Sequence, residues 1–233
     1  MMHDSQPLAQ YGLDVVDCPI CGNTGTVVRE DENGIRWARD CDCVAIRKSI
    51  KRLQRSGLSD LVSRYTLASY ETPDEKRSGI KATALRYIAD TSGAWFFIAG
   101  KSGSGKTHLC TAVCGELLKR EEVRYMLWRD EAVKIKSVVT DREAYDALVQ
   151  PLKAVQTLYI DDFLKGRVGD ADKNLAFEII NARYNDSSKR TIISSERKIT
   201  EIVELDEALG SRIYERSRGY MVEPPNENWR LRP

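Results

Sequence analysis

The chain has 233 residues, of which 42% are hydrophobic and 30% are charged, and its formal net charge is +1. This length and composition fit one domain of ordinary size with a small appendage, and the balanced charge does not by itself indicate a nucleic-acid partner. The sequence has no run of 18 or more apolar residues, so we expect no membrane span.

The first 18 residues have neither a basic n-region nor an apolar h-region, so we expect no signal peptide and a cytoplasmic location. In that compartment, closely spaced cysteines favour metal binding over disulfides. Cys18 and Cys21 form C-x-x-C, and Cys41 and Cys43 form C-x-C. Four thiolates suit a structural Zn²⁺ with tetrahedral geometry, and the segment between the pairs is predicted to be a hairpin. The alternative is reduced, unliganded thiols, with which so small a segment would fold poorly.

A basic helix follows the cysteines. Residues 1–43 carry eight acidic and three basic side chains, whereas residues 44–65 carry six basic and one acidic. Apolar residues at near-helical spacing predict a helix from Val44 to about Leu61, which Gly57 interrupts. Its basic surface is either an ordinary solvated face or a surface for a partner or nucleic acid.

Strands alternate with helices through the rest of the chain. A helix with Thr72 as N-cap is predicted to run to about Asp90, and residues 130–155 are predicted to be mostly helical, with a capping box at Thr140. The predicted strands are "AWFFIAG", "VRYMLW", "TLYIDD", "RTIISS" and "YMVE". This alternation predicts a parallel sheet that helices cover on both faces. Cys110 and Cys114, four apart on a predicted helix, are interpreted as core residues.

The segment "GKSGSGKT" at residues 100–107 matches the phosphate-loop pattern, with a predicted strand before it and a helix after it. Its glycines let main-chain N–H groups turn inward toward phosphate oxygens. Lys106 would place a charge at the β- and γ-phosphates, and the Thr107 hydroxyl would ligate Mg²⁺. A chance glycine-rich turn is the alternative, which the flanking elements disfavour. The residues that we assign to nucleotide binding are Gly100, Ser102, Gly103, Ser104, Gly105, Lys106, Thr107 and His108.

The strand "TLYIDD" ends in two acidic residues. Asp161 at the mouth of the phosphate site can bind Mg²⁺, and Asp162 can polarise the attacking water as a general base. The alternative is a pair of acids that cap a loop. The strand "RTIISS" can lie between the two motifs in the sheet, which would bring Ser195 or Glu196 to the γ-phosphate or the water.

Two arginines lie late in the chain, four apart on a predicted helix. Arg212 and Arg216 in that arrangement could reach the nucleotide of a neighbouring subunit, as arginine fingers do. The alternative is a solvent-exposed basic helix end.

These motifs, in this order, resemble the DnaC/DnaI-type AAA+ helicase loaders, and the related IstB transposition helpers share most of the pattern. The likeness covers about residues 60–232 and includes "GKSGSGKTHL", "LYIDDF", "IINARY", "TIISSE", "LGSRIYER" and "NWRLR". At the front, the cysteine pattern before a basic helix and the tripeptide "SGL" resemble phage-type and Gram-positive-type loaders.

The resemblance implies an α/β fold: a P-loop AAA+ ATPase with a parallel sheet sandwiched by helices, preceded by a small zinc-binding N-terminal domain. We therefore expect a helicase-docking domain with the basic helix in residues 1–55, a linker in residues 56–75 and the ATPase domain in residues 76–233. Residues 129–155 would occupy the place of a helical insertion that lines a path for single-stranded DNA, with Lys134 and Lys136 as phosphate contacts.

The resemblance also implies roles for single residues. Lys106 and Thr107 would be the Walker A residues, and Asp161 and Asp162 the Walker B residues. Arg212 would fall in the motif that crosses a subunit boundary, with Arg216 one turn later, and Arg230 resembles a sensor-2 arginine. Family members usually have asparagine at the sensor-1 position, where this chain has Glu196. A carboxylate there would repel a γ-phosphate unless an arginine neutralises it, so either Ser195 is the sensor or hydrolysis is slow.

The implied function is an ATPase that binds a hexameric replicative DNA helicase and delivers it onto single-stranded DNA. Its cofactors would be ATP or ADP, Mg²⁺ and Zn²⁺, and it would self-associate through its ATP sites in the helicase complex, with no membrane partner. The alternative within the resemblance is an IstB-like transposition helper that acts on duplex DNA. A small-molecule P-loop kinase would need an acceptor pocket and a mobile lid, for which the sequence offers no segment.

Overall fold

The structure is a computed structural model and describes residue 18 and residues 20–22, 24–30 and 34–231. The expectations for residues 1–17 and for part of the turn between the cysteine pairs lie outside these ranges. The elements in chain order are β1 (Thr26–Glu30), β2 (Arg36–Asp40), α1 (Asp42–Ser56), α2 (Ser59–Val62), α3 (Glu75–Ala89), β3 (Phe96–Ala99), α4 (Lys106–Leu117), β4 (Val123–Leu127), α5 (Trp128–Ser137), α6 (Arg142–Ala154), β5 (Thr157–Asp161), α7 (Asp170–Tyr184), β6 (Arg190–Ser195), α8 (Ile199–Leu205), α9 (Glu207–Ser217), β7 (Met221–Val222) and a short 3₁₀ helix (Trp229–Leu231).

Five parallel strands form the main sheet in the order β4-β5-β6-β3-β7. The predicted parallel sheet is confirmed, and β6 lies between β3 and β5 as expected. Every residue of β3, β5 and β6 is buried, because helices cover both faces of the sheet. The carboxyl ends of parallel strands share one edge, so the loops after β3, β5 and β6 meet there.

The core has one apolar layer on each face of the sheet. Strand side chains alternate between the faces, so Phe96 and Ile98 pack with α3 and α4 on one side. Trp95 and Phe97 pack with α5, α6, α7 and α9 on the other side. Packing on both faces therefore holds in place the strands β3, β5 and β6, whose carboxyl ends carry the loops described above.

The N-terminal part is an antiparallel pair of strands, β1 and β2, in which Thr26 pairs with Asp40 and Glu30 pairs with Arg36. This pair has little apolar core, since all five residues of β2 are exposed. Of the residues described next to this pair, Cys18, Cys41 and Cys43 are buried in one cluster, against which Val27 packs. The cysteine cluster thus takes the place of a core at this end.

Helix α1 contacts the main body of the protein. Arg52 Nε donates to the carbonyl oxygen of Leu118 at 2.7 Å, and Ser49 Oγ donates to that of Lys119 at 3.1 Å. Leu53 is buried in the layer that covers α4. Gly57 ends the helix with φ of 79°, the left-handed conformation that glycine adopts readily.

Residues 56–75 contain α2, and Leu58, Val62 and Tyr70 from this range are buried in the same layer. The segment that follows the basic helix therefore contributes to the core. The division into three parts at residues 55 and 75 stays a prediction.

Two predicted helix starts differ from the structure. Helix α3 is capped by Asp74, whose carboxylate accepts from the N–H of Arg77 at 2.8 Å, and not by Thr72. Helix α6 is capped by Asp141, which accepts from the N–H of Ala144 at 3.0 Å, and not by Thr140. In both cases an aspartate close to a threonine takes the cap position, because its carboxylate is a charged acceptor for the free N–H groups.

Within the described residues, we find no helix that combines the length and the apolar character that crossing a membrane requires.

Candidate functional site

The carboxyl edge of the sheet brings the phosphate loop and the acidic residues together. The loop follows β3, Asp161 ends β5, and Glu196 follows β6. The N–H of Gly100 donates to the carbonyl oxygen of Ser195 at 3.1 Å, which joins the start of the loop to the end of β6. A cavity of about 200 Å³ opens there. Its lining residues are Tyr65, Ser102, Gly103, Ser104, Gly105, Lys106, Thr107, His108, Asp162, Lys165, Glu196, Trp229 and Arg230.

The loop has the conformation of a phosphate cradle. Gly103 and Gly105 have φ of +78° and +91°, and helix α4 begins at Lys106, so its free N–H groups border the cavity. Lys106 Nζ donates to the carbonyl oxygens of Gly100 at 2.7 Å and Lys101 at 2.9 Å. Burial lowers the pKa of Lys106, although the carboxylates of Asp162 and Glu196 oppose this shift.

One polar atom of the loop is left for a ligand. The Ser104 side chain is buried, with 2% of the residue exposed, and its hydroxyl oxygen has no hydrogen-bond partner among the residues that the structure describes. Buried polar groups are almost always paired in proteins, so this hydroxyl fits a site that a polar ligand completes.

Asp161 is buried beside the loop and accepts several hydrogen bonds. Thr107 Oγ1 donates to its Oδ2 at 3.2 Å, the Tyr125 hydroxyl donates at 3.3 Å, and the Ser194 hydroxyl donates to its Oδ1. Burial and then the charge of Asp161 raise the pKa of Tyr125, which keeps this phenol a donor. A threonine hydroxyl and a carboxylate are oxygen ligands of the kind that Mg²⁺ prefers.

Asp162 stands at the mouth of the cavity in a left-handed conformation, with φ of 53°. Its N–H donates to Asp161 Oδ1 at 3.2 Å and to Ser194 Oγ at 3.1 Å. Its carboxylate accepts from Lys165 Nζ at 3.0 Å, and the same ammonium lies 3.0 Å from Glu196 Oε1. Burial disfavours the charged lysine, but the hydrogen bonds to Glu196 and Asp162 outweigh it and raise the pKa of Lys165.

The two serines at the end of β6 differ in their surroundings. Ser195 is fully buried, and its hydroxyl donates to the carbonyl oxygen of Phe163 at 2.8 Å. Its neighbour Ser194 contacts Asp161. Ser195 therefore fixes the loop after β5, and Glu196 is the residue of this segment that lines the cavity.

The C-terminal segment, residues 223–231, crosses the phosphate loop. The N–H of Trp229 donates to the carbonyl oxygen of Gly103 at 3.0 Å, and a Cβ atom on Gly103 would lie only 1.9 Å from Asn228 Oδ1. Arg77, whose side chain is 2% exposed, lies 3.1 Å from a Glu227 oxygen and 4.9 Å from the centre of the Trp229 ring. These contacts bring Arg230 to the wall of the cavity.

A second cavity of about 240 Å³ adjoins the first and shares Ser104, Gly105, His108 and Trp229 with it. Its other lining residues are Ser69, Tyr70, Glu71 and Arg77. His108 packs against the rings of Tyr65 and Tyr70, and its Nε2 lies 3.1 Å from the carbonyl oxygen of Thr66. Burial lowers the pKa of His108, so the ring that borders this cavity is neutral.

The two candidate arginines of α9 have different surroundings. Arg216 donates to the carbonyl oxygens of Gly93, Ser187 and Lys189 at 2.7, 3.1 and 3.2 Å, in loops that precede β3 and β6. It therefore lies at the amino edge of the sheet, opposite the phosphate loop.

Arg212 is also held on its own chain, but with one main-chain carbonyl among its partners, that of Ala208 at 2.6 Å. Its Nε donates to Asn181 Oδ1 at 3.0 Å, and its guanidinium lies over the ring of Phe177. On α5, Lys134 and Lys136 are paired with Glu131 at 2.8 Å and Asp172 at 2.5 Å.

The four front cysteines form one cluster. Their sulfur atoms all lie within 4.8 Å of one another, with Cys18 and Cys41 3.7 Å apart and Cys21 and Cys43 3.5 Å apart. Four ligands at about 2.3 Å around a tetrahedral Zn²⁺ lie about 3.8 Å from each other, so the set fits that ion. Cys110 and Cys114 are fully buried in α4, in the layer predicted for them.

Sequence reasoning did not single out several residues of the site. Lys165, Ser194, Tyr125, Asn228 and Trp229 contact the assigned residues but belong to no spacing pattern. For Ser194, strand alternation is a useful signal, because it predicts that Ser194 and Ser195 face opposite sides of the sheet. For Lys165 the available signal is a basic residue close after two acids.

The comparisons with known proteins agree with this geometry. Residues 62–220 match the family described as the bacterial DnaA ATPase domain. The chain is 30% identical to the phage-like element PBSX protein XkdC of Bacillus subtilis, over 88% of this chain and 81% of that one. It is 28% identical to the replicative helicase loader DnaC of Escherichia coli, over 73% of this chain and 70% of that one.

Two further comparisons concern length and fold. The chain spans 63% of the length of the B. subtilis protein YqaM, with which it is 30% identical over 80% of its own residues. The crystal structure of the DnaC helicase loader superposes with a TM-score of 0.60 at 20% identity, covering 70% of this chain and 98% of that one. At that identity the likeness establishes the fold, and the predicted P-loop AAA+ architecture is confirmed.

Proposed function

The chain belongs to the bacterial DnaA ATPase family, and on that premise we propose that it is an ATP-dependent loader of a replicative helicase. It would bind a hexameric helicase through its N-terminal part and deliver it onto single-stranded DNA. The observation that carries the proposal is the pairing of a phosphate-loop site with a cysteine-clamped module on one short chain. The similarity to E. coli DnaC, which is named as a helicase loader, supports the same reading.

ATP or ADP would occupy the cavity at the phosphate loop. Gly103, Gly105 and Lys106 would hold the phosphates, with the unpaired Ser104 hydroxyl as a further polar contact. Thr107 and Asp161 would hold Mg²⁺, which supplies neutralising charge at the β- and γ-phosphate oxygens when it is bound. Their existing hydrogen bond supports this pairing, because it shows that both oxygens reach one point.

The neighbouring cavity suits the base and ribose. It is continuous with the phosphate loop through Gly105 and His108, and its walls include the rings of Tyr70 and Trp229. Flat apolar rings with a few polar groups are typical walls of a nucleotide-base pocket. His108, neutral and fixed by Thr66, would be a wall of this pocket and not an acid or base.

The hydrolytic residues follow from the positions of the carboxylates. Asp162 lines the cavity and would polarise the attacking water, whereas Asp161 is occupied by Thr107 and Ser194. Glu196 occupies the sensor-1 position, with Ser195 behind it in the core. Hydrolysis would be slow, because a carboxylate at Glu196 donates no hydrogen bond to the charge that develops at the γ-phosphate.

Of the two arginines, Arg212 is the better candidate for an arginine finger. Arg216 is bound to three main-chain carbonyls, and releasing it would take a donor from each, although that of Lys189 also accepts from Trp95 Nε1. Arg212 donates to the Asn181 amide and to one main-chain carbonyl, that of Ala208, and lies over the rings of Phe177 and Tyr184. Turning it to a neighbouring subunit would therefore take a donor from one main-chain acceptor instead of three. Arg230 would act in the same chain, at the wall of the phosphate cavity, as the sensor-2 arginine.

Zn²⁺ would be held by Cys18, Cys21, Cys41 and Cys43 and would have a structural role, since four thiolates leave no open position. The module would dock the helicase, and α1 would link it to the ATPase part through Arg52 and Ser49. The lysines of α5, Lys134 and Lys136, would lie along the DNA path after their ion pairs with Glu131 and Asp172 open.

The direct test is complex formation with the replicative helicase of the same source. Purified chain and helicase hexamer, mixed with ATP and Mg²⁺, should elute together in size-exclusion chromatography. Separate elution at micromolar concentrations would refute the loader function. Filaments on duplex DNA in negative-stain images, without a helicase complex, would instead favour the transposition helper.

A further inference from the structure

Lys165 connects two carboxylates at the rim of the phosphate cavity. Its Nζ lies 3.0 Å from Asp162 Oδ2 and 3.0 Å from Glu196 Oε1. All three side chains are about two-thirds buried or more, with exposed fractions of 36%, 27% and 33%. They line the same cavity as Lys106 and Thr107. This is a three-residue charge cluster in the site and not an ordinary surface ion pair.

The loop that carries Lys165 is fixed by several independent contacts. Asp162 and Leu164 both have φ of 53°, a conformation that residues other than glycine seldom adopt. Arg197, just after β6, donates to the carbonyl oxygens of Leu164 at 3.0 Å and Gly166 at 2.8 Å. The position of Lys165 is therefore set by β6, the strand that also places Glu196.

The charges around the cavity show what this lysine does. Asp162 and Glu196 contribute two negative charges at the rim, and Asp161 contributes a third beside Thr107. If Lys165 were absent, Lys106 and Arg230 would be the remaining cations among the described residues that line this cavity. A bound triphosphate adds negative charge at the same place, and like charges repel most strongly where water is partly excluded.

We propose that Lys165 is a positioning residue that neutralises Glu196 and holds the Asp162 carboxylate, and so lets this pocket accept a γ-phosphate. The inference rests on the proposed nucleotide function and explains how a cavity that carries the Glu196 carboxylate would accept a triphosphate. Lys165 acts through its two carboxylate partners. Its loss would penalise a triphosphate more than a diphosphate, because the diphosphate has no group at the γ-position.

The test compares nucleotide affinities of matched variants. Fluorescence titration would measure the Kd of a non-hydrolysable ATP analogue and of ADP for the wild type, Lys165→Met, Lys165→Arg, Glu196→Gln and the double variant. Lys173→Met is the control, because Lys173 pairs with the exposed Asp170 outside the cavity. We expect Lys165→Met to weaken the ATP analogue about tenfold and ADP less than about threefold, with Lys165→Arg and the control close to wild type.

The double variant gives the decisive result. Glu196→Gln in the Lys165→Met background should restore the affinity for the ATP analogue to within about threefold of wild type, since one of the two carboxylates that lost their cation is then neutral. Equal losses for both nucleotides, or no rescue by Glu196→Gln, would overturn the inference. A wild-type chain that binds neither nucleotide would defeat the nucleotide function and this inference together. A failed helicase complex with normal nucleotide binding would defeat only the loader function.

Discussion

The N–H of Trp229 donates to the carbonyl oxygen of Gly103 at 3.0 Å, which ties the C-terminal segment to the middle of the phosphate loop. Arg77 reinforces the contact from α3, because it pairs with Glu227 and lies under the Trp229 ring. The nucleotide site is thus built from residues at both ends of the ATPase part, and its walls depend on how this segment lies.

Gly103→Ala should displace the C-terminal segment. The new Cβ would lie 1.9 Å from Asn228 Oδ1, so Asn228 must move and Trp229 with it. We expect faster amide hydrogen exchange in residues 223–231 and nucleotide affinity lowered by about tenfold. Gly34→Ala is the control for backbone strain, because Gly34 has the same φ of +78° with no neighbour within 4 Å. Unchanged exchange in Gly103→Ala would show that the segment does not depend on this contact.

Lys106→Ala should remove nucleotide binding and ATP-dependent release of the helicase while leaving helicase docking largely intact. The ammonium is the main positive charge inside the loop, whereas docking is assigned to the N-terminal module. Nucleotide titration and co-elution with the helicase would measure the two properties separately. Lys119→Ala, which removes an exposed lysine paired with Glu116, is the control. Normal loading by Lys106→Ala would contradict the assignment.

Cys41→Ser should release zinc and unfold the front module. Cys41 is 3% exposed and one of the four sulfurs of the cluster. Among the described residues beside β1 and β2, the buried core consists of Cys18, Cys41 and Cys43, with Val27 and Val44 packed against it. Metal analysis should give about one zinc per wild-type chain and none per variant, with docking lost and nucleotide binding kept. Cys114→Ser, in the core of α4, should keep its zinc. A Cys41→Ser chain that still docks to the helicase would argue against the module as the docking part.

Arg212→Ala and Arg216→Ala should affect different properties, ATP turnover for the first and stability for the second. Arg216→Ala removes a donor from three carbonyl oxygens, of which that of Lys189 keeps a bond from Trp95 Nε1, and should lower the free energy of unfolding by about 1–3 kcal/mol. Arg212→Ala should lower ATP turnover in the helicase complex by about a thousandfold, with a smaller effect on stability. Thermal unfolding and steady-state hydrolysis would measure the two effects. The reverse pattern would make Arg216 the finger.

The elements of the main sheet were predictable because β3, β5 and β6 are continuous apolar runs that end in glycine, acid or serine. The phosphate loop and Asp161 were predictable for the same reason, since each follows one of these strands directly. The caps at Asp74 and Asp141 were missed because two acceptor residues lie close together at each helix start, and the spacing of each threonine to a glutamate three positions later favoured the threonine.

The rest of the site depends on long-range contacts that spacing does not encode. Lys165 meets Glu196 only because β6 lies beside β5, and Trp229 meets Gly103 only because β7 adds to the edge of the sheet beside β3. Ser194 likewise reaches Asp161 only because β6 pairs with β5 in the sheet. Such contacts join residues more than 30 positions apart, so a local pattern cannot reveal them.

The most direct measurement is helicase transfer onto a closed single-stranded DNA circle, which a ring can enter only if it is opened. With ATP and the wild-type chain, the circle should retain hexameric helicase after gel filtration, and this chain should leave once ATP is hydrolysed. With Lys106→Ala, the circle should not retain the helicase after gel filtration. Equal retention of helicase with and without the chain would contradict the account.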